Sequence, residues 1–244
     1  MKPLKLSIGI RPSRAMFRLS TVGGSLIDEL LSTTESSKTF KKIFKSVEQD
    51  GVKHHFRLVG DDHNFFVGIN DIQYSIDNYD SKNIIDIDKE VERFISLFAV
   101  VNNSLKIKDI RRMGIVCEYR LSSNTEQPSK ELIEKLTKFK TEGFPAKFSL
   151  QFEQRTPIAN TNGLPDFRNQ DFWNVIENIY DGEVDADHSA QKMINLMLDV
   201  QRYYHPFLNE KAENAIKALA EKYKKQYQIF IEKNKLLGIV NGNE

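Results

Sequence analysis

Cysteine is almost missing from this 244-residue chain: Cys117 stands alone. A lone cysteine excludes an internal disulfide and any zinc or iron–sulfur site built from several thiolates, and it fits a reducing compartment. Placed in the apolar run Met113 to Tyr119, it is expected in the core. An excess of one charge is missing too, because 35 Lys and Arg face 34 Asp and Glu. No global field recruits nucleic acid or an anionic membrane, so any charged partner has to be met by a local patch. A membrane-length apolar run is also lacking. The stretch Phe94 to Leu105 has 12 residues and two asparagines, against the roughly 20 that a spanning helix needs, and no membrane partner is expected. The N-terminal MKPLKLSIGIRPSR carries charge where a signal peptide needs an apolar segment, which points to the cytoplasm. The local signatures of common enzymes are absent: no GxGxxG, Walker A loop, GxSxG, HExxH or CxxC occurs, and no cofactor is expected.

What the chain has is enough apolar residue, 40%, to build a substantial core. Leu4 to Ile10 alternates as a strand that Arg11-Pro12 ends. Leu26, Ile27, Leu30 and Leu31 have helical spacing within Ser20 to Leu31. His54 to Val59 and Phe65 to Ile76 read as a hairpin around Gly60-Asp61-Asp62-His63-Asn64. Asp86 or Asp88 can cap a helix carrying Val91, Phe94, Ile95, Phe98, Val101 and Leu105. Arg111 to Leu121 follows as a strand, Pro128 to Lys140 as a helix, and Phe148 to Phe152 and Phe172 to Tyr180 as strands. Between Met193 and Tyr204 the apolar positions fit both periods. The polar Asn195, Asp199 and Gln201 fall strictly at odd positions, which selects a strand. From Asn209, a plausible cap, a long amphipathic helix carries Ala212, Ile216, Leu219, Tyr223, Tyr227 and Phe230 and stops at Gly238. The sum is an α+β fold, mostly antiparallel sheet with covering helices, in one domain over 1–244 that can divide into subdomains near 122–128.

The strand Phe65 to Asn70 (FFVGIN), the motifs Arg112-Met113-Gly114-Ile115 and Glu118-Tyr119-Arg120, and Leu198-Asp199-Val200 resemble a sporadically distributed, functionally uncharacterised family of bacterial and archaeal proteins of about this length. The resemblance spans most of the chain and implies an α+β fold with a strand at Leu198. Where the family carries an arginine-glycine-leucine-arginine-tyrosine-like strand, this chain has Val116-Cys117-Glu118-Tyr119. No activity follows from the resemblance.

Five groups of residues can carry function. Asp181, Glu183, Asp185, Asp187 and His188 offer hard ligands for a metal, but an EF-hand would need glycine at Ala186 and glutamate at Lys192; the alternative is a solvated acidic loop. Asp61 and His63, near His54 and His55, are the raw material of acid–base or metal-dependent hydrolysis; the alternative is a polar hairpin turn with one histidine exposed and one partly buried. Asp199, with Glu118 and Arg120 on another strand, offers a carboxylate for a nuclease-like centre. Arg11, Arg14 and Arg18, followed by Lys41, Lys42, Lys45, Lys53 and Arg57 and interleaved with Phe17, Phe40 and Phe44, form either a basic surface open to nucleic acid or, given the balanced total charge, an ordinary solvated face. Arg202, Tyr203 and Tyr204 have the chemistry of a protein interface, and the alternative is that the tyrosines pack beneath the C-terminal helix. The expected function is a non-enzymatic binding or assembly protein, a component of a bacterial multi-protein system contacting a protein or nucleic-acid partner or a second copy of itself. The alternative is a metal-dependent hydrolase, such as a nuclease, drawn from Asp61, His63, Asp185, Asp187 and Asp199.

Overall fold

The first strand of the chain lies in the middle of the sheet. The computed structural model describes residues 1–36, 43–78, 84–123, 125, 127–140, 145, 147–159, 164–181 and 193–239. Among them, β1 (Pro3–Pro12) is followed by α1 (Leu19–Ser36), β2 (Phe44–Asp50), β3 (His55–Gly60), β4 (His63–Val67), β5 (Ile72–Asp77), α2 (Ile87–Leu105), β6 (Ile110–Ser122), α3 (Pro128–Leu136), β7 (Ser149–Pro157), β8 (Phe172–Asp181), β9 (Met193–Tyr203) and α4 (Ala212–Leu236). The strands form one nine-stranded sheet in the order β2-β3-β4-β5-β1-β6-β9-β8-β7. Every neighbouring pair is antiparallel. An antiparallel sheet can be covered on one face and wet on the other, with side chains alternating between them.

One face carries the helices. Leu6, Ile8 and Ile10 of β1, Met113, Ile115, Cys117 and Tyr119 of β6, and Leu196, Leu198 and Val200 of β9 are buried against them. Helix α2 contributes Phe94, Leu97, Phe98 and Val101, and α4 contributes Ile216, Leu219, Tyr223 and Phe230. Each such side chain taken from water stabilises the fold by roughly 1.5–3 kcal/mol. The Tyr119 and Tyr223 hydroxyls share a hydrogen bond of 2.6 Å, so these large rings enter the core with their polar ends satisfied.

Local chemistry sets the helix ends. Asp86 accepts from the amides of Asp88 and Lys89, capping α2, which ends at a left-handed Lys106. Gly238 takes a positive φ of 66° after α4, as the expected stop requires. Asn209, however, does not cap α4; Lys211 occupies that position without a side-chain bond. The cause is Leu208, which is buried and donates its amide to the Ile110 carbonyl at 2.8 Å, holding the chain on the sheet past Asn209.

The hairpin differs from expectation in two ways. Gly60, His63 and Asn64 belong to strands, and Asp61-Asp62 alone makes the turn. The run Phe65 to Ile76 is two strands, β4 and β5, broken by a turn that the Gly68 amide closes on the Asp71 carbonyl at 2.9 Å. The turn-forming Gly68, Asn70 and Asp71 decide this against the apolar pattern around them. Helix α3 stops at Leu136, short of Lys140, because Thr137 turns extended with φ −132° and ψ 172°. The strand choice for 193–203 agrees with β9, and the C-terminal helix lies at 212–236.

Candidate ligand site on the open face of the sheet

The helix-free face is built in rows, because register fixes which residues stand side by side. One row reads Gln73, Gly9, Gly114, Gln201, Asn174 and Arg155 across β5, β1, β6, β9, β8 and β7. Two glycines at its centre leave a bare floor between the glutamines. The next row carries Ser75, Ser7, Val116, Asp199, Ile176 and Glu153. On the other side of the glycines stand Arg11, Arg112, Tyr203 and Phe172. Together Ser7, Gly9, Arg11, Asp71, Gln73, Arg112, Gly114, Val116, Asp199 and Gln201 line a hollow of about 220 Å³.

A relay of hydrogen bonds fixes one wall of this hollow. Arg112 Nη1 donates to the Tyr203 hydroxyl at 3.3 Å, the hydroxyl donates to Gln201 Oε1 at 2.9 Å, and Gln201 Nε2 donates to Asp199 Oδ2 at 2.5 Å. Tyr203 is held further by stacking on Phe172, with ring centroids 4.5 Å apart. The relay ends at Asp199, which is 8% exposed. Its Oδ1 accepts no hydrogen bond among the described residues, and neither does Oδ1 of Asn174, the neighbour of Gln201 on β8. Burial pushes the Asp199 carboxyl up to about 6, against the lowering influence of Gln201 and Arg112.

At the end of the sheet, where β6 begins, two further hollows flank the segment from Asp109 to Arg111. Arg14, Phe17, Arg18, Lys106, Lys108, Asp109 and Phe207 line one of about 590 Å³. Arg111, Arg155, Phe167, Arg168, Phe172 and His205 line the other, of about 280 Å³. The acids between them are engaged: Asp109 accepts from Ser13 Oγ at 2.8 Å and lies 4.0 Å from Arg14, and Glu153 pairs with Arg155 at 2.7 Å. Arg18, Lys106, Lys108 and Arg111 form no ion pair among the described residues, whereas Arg168 stands beside Asp166, which accepts its amide at 3.0 Å. Phe17 is 71% exposed among these cations.

The residues singled out from sequence are dispersed by the fold. Asp61 is exposed in its turn and pairs with Lys45 at 2.5 Å. His63 faces the helices, its Nε2 3.8 Å from Glu90 of α2, and burial lowers its pKa more than that carboxylate raises it. Asp199 lies on the opposite face and four strand spacings away, roughly 19 Å at about 4.8 Å each. Asp61, His63 and Asp199 therefore share no first shell. Glu118 and Arg120 share the open face with Asp199, but Arg120 is turned to Asn195, 3.2 Å away. Asp181 is held in place by Ser129 Oγ and by the Phe148 amide. Glu183, Asp185, Asp187 and His188 lie outside the described residues, as do Phe40, Lys41 and Lys42. Among the described residues no group of three His, Cys, Asp or Glu can hold a metal ion.

Arg14 and Arg18 line the larger basic hollow and Arg11 the trough. Lys53 and Arg57 stand beside Asp50 and Glu48 in the β2–β3 hairpin and add little to that surface. Of the interface candidates, Tyr204 is 5% exposed and sits in the core. Arg202 is sandwiched 4.9 Å from the Trp173 ring and 5.2 Å from the Tyr204 ring and pairs with Asp171 at 3.1 Å, which makes it an internal tie. Only Tyr203 of the three faces the open side.

Lys106 and Lys108 do not stand out in the sequence, and Gly9, Arg111 and Gly114 enter there only as parts of strands and of the motif Arg112-Met113-Gly114-Ile115. The signal was present in the basic run KIKDIRR and in glycine at the centre of two apolar strands, IGI and MGI. Comparison with protein-family models finds no match, and comparison with curated proteins finds none. Among the described residues, no helix is long and apolar enough to cross a membrane.

Proposed function

We propose that the protein is a non-enzymatic binding component of a multi-protein system, and that its partner is a single-stranded nucleic acid held at the basic end of the sheet. The observation that carries this reading is the larger hollow at that end, where Arg18, Lys106 and Lys108, which form no ion pair among the described residues, stand with the exposed rings of Phe17 and Phe207. Phosphates take the cations and bases stack on the rings, a combination that needs no sequence code. A net charge of +1 does not oppose it, because the field that matters is local. A polyglutamate peptide would satisfy the cations but bring no ring to stack on Phe17 and Phe207. Fluorescence anisotropy of a labelled single-stranded oligonucleotide tests the reading. Binding that weakens with salt and on Arg14→Glu/Arg18→Glu supports it. Absence of binding at low salt, or equal capture of a polyglutamate peptide, overturns it.

A further inference from the structure

The trough on the open face is a second site, carried by other observations than the basic end. Neither central glycine is demanded by packing. A Cβ on Gly9 would meet nothing nearer than the Ile72 carbonyl oxygen at 3.7 Å, and one on Gly114 would meet Gln201 Cγ at 3.4 Å and Asp199 Oδ1 at 3.8 Å. Neither has the positive φ that would require glycine, which among the described glycines only Gly238 shows. Strand interiors favour β-branched and aromatic residues, and a glycine there marks a place where something approaches the backbone closely. Two of them paired across β1 and β6 make a flat floor. Both flanking glutamines turn off it, Gln73 to Ser7 Oγ at 2.8 Å and Gln201 to Asp199.

The atom beside that floor is the carboxylate oxygen without a donor. Asp199 Oδ1 lies next to the position a Gly114 Cβ would fill, in a side chain more than nine-tenths buried, with a second orphan acceptor, Asn174 Oδ1, on the next strand. Buried acceptors of this kind call for N–H donors from outside the protein. Two rows away along β6, about 13 Å at roughly 3.3 Å per residue, Arg11 and Arg112 supply positive charge, with Asp71 beside Arg11 as the one acid at that end. The ligand thus has donors at one end, an anion at the other and a flat body between. An α-amino acid is too short for this, since one carbon separates its ammonium from its carboxylate. The hollow of about 220 Å³ is below the roughly 300–1,000 Å³ of drug-sized sites, which suits one ring system.

We propose that the trough binds a single nucleobase with an exocyclic amino group, lying on Gly9 and Gly114, its amino edge on Asp199 and its phosphate toward Arg11 and Arg112. Carboxylates accept from amino groups of this kind, as in the contact of Asp or Glu with the cytosine amino group. Uracil is disfavoured because its one edge donor is flanked by carbonyl oxygens that meet the carboxylate.

Isothermal titration of the full chain with AMP, CMP, GMP and UMP, and with short homo-oligomers of the same bases, tests this. At least one amino-bearing probe is expected to bind ten-fold or more tighter than its uridine counterpart. Gly9→Val, which fills the trough from a position with room for a Cβ, and Asp199→Asn, which replaces the acceptor, are each expected to weaken it by more than ten-fold with an unchanged circular dichroism spectrum. A monophosphate that binds in this Asp199-dependent way identifies a free nucleotide as the source; an oligomer alone doing so identifies a base presented by a strand. Equal binding of uridine probes, or affinities indifferent to both variants, overturns the trough and leaves the basic end untouched. Oligomer binding lost only in Arg14→Glu/Arg18→Glu does the same. Asp199-dependent binding of an amino acid in place of nucleotides also overturns it.

Discussion

The Tyr74 hydroxyl of β5 donates to Glu90 Oε2 of α2 at 2.6 Å, in a pocket where Glu90 is 5% exposed. Arg93 Nη1 donates to the other oxygen of the same carboxylate at 2.6 Å. Glu90 thereby holds α2 to the sheet with both oxygens occupied. Glu90→Ala removes the acceptor for two buried donors and is expected to cost about 3 kcal/mol, and Tyr74→Phe about 1–2 kcal/mol. Urea denaturation of each variant against the parent measures both. Equal stabilities would show that the helix is held by its apolar face alone.

Asp199 gives stability an unusual pH dependence. Its carboxyl, ordinarily near 3.8, is pushed to about 6 in the folded protein, so folding takes up a proton between those values. Its contribution is therefore greatest below about pH 4, declines as pH rises to about 6 and is constant above. The span is about 3 kcal/mol at roughly 1.4 kcal/mol per pKa unit. Asp199→Asn removes this dependence and is expected to melt higher than the parent at pH 7.5 while the two converge at about pH 3.5. Thermal melts at both pH values check it.

Cys117 is fully buried beside Tyr119 and Tyr223, and burial pushes its thiol up to about 12. Thiol labelling by a disulfide reagent at pH 8 is expected to be negligible in the folded protein and stoichiometric in urea. Rapid labelling without denaturant would contradict the packing of β6 against α4.

The basic end is tested by salt. If Arg14, Arg18, Lys106 and Lys108 each meet a phosphate, the logarithm of the affinity for a single strand falls against the logarithm of salt with a slope of about −3, and Arg14→Glu/Arg18→Glu flattens the slope by about 1.4 or more. Anisotropy titrations at several salt concentrations provide the slope.

Much of the architecture was legible. The alternation of Ile194, Leu196, Leu198 and Val200 with polar odd positions announces a strand wetted on one face, and β9 is one. Strand β2 left no such trace: at the sheet edge, the sequence FKSVEQD has only Phe44 and Val47 half-buried against the core, three residues apart, and carries no apolar alternation. For the site, Asp199 could be read as projecting from the sheet opposite Leu198 and Val200, but its meaning depends on Gly114 and Asn174, set beside it by register between strands far apart in sequence. Arg202 and Tyr204 could be read either way because arginine and tyrosine have the same chemistry inside as at an interface. Only Trp173 and Asp171, brought alongside by β8, show which of the two applies.

The strand order also dictates when the protein can become whole. β9 is the last strand of the described chain to be synthesised, yet it sits between β6 and β8. Until it emerges, the six strands through β6 and the β7–β8 hairpin are two fragments, each with an unpaired border. From Ser122 to Tyr203 the ribosome adds 81 residues (203 − 122), roughly 4–16 s at about 5–20 residues per second. During that interval the nascent chain exposes the edge of β6, which makes β9 the clasp that ends its vulnerability to misassembly.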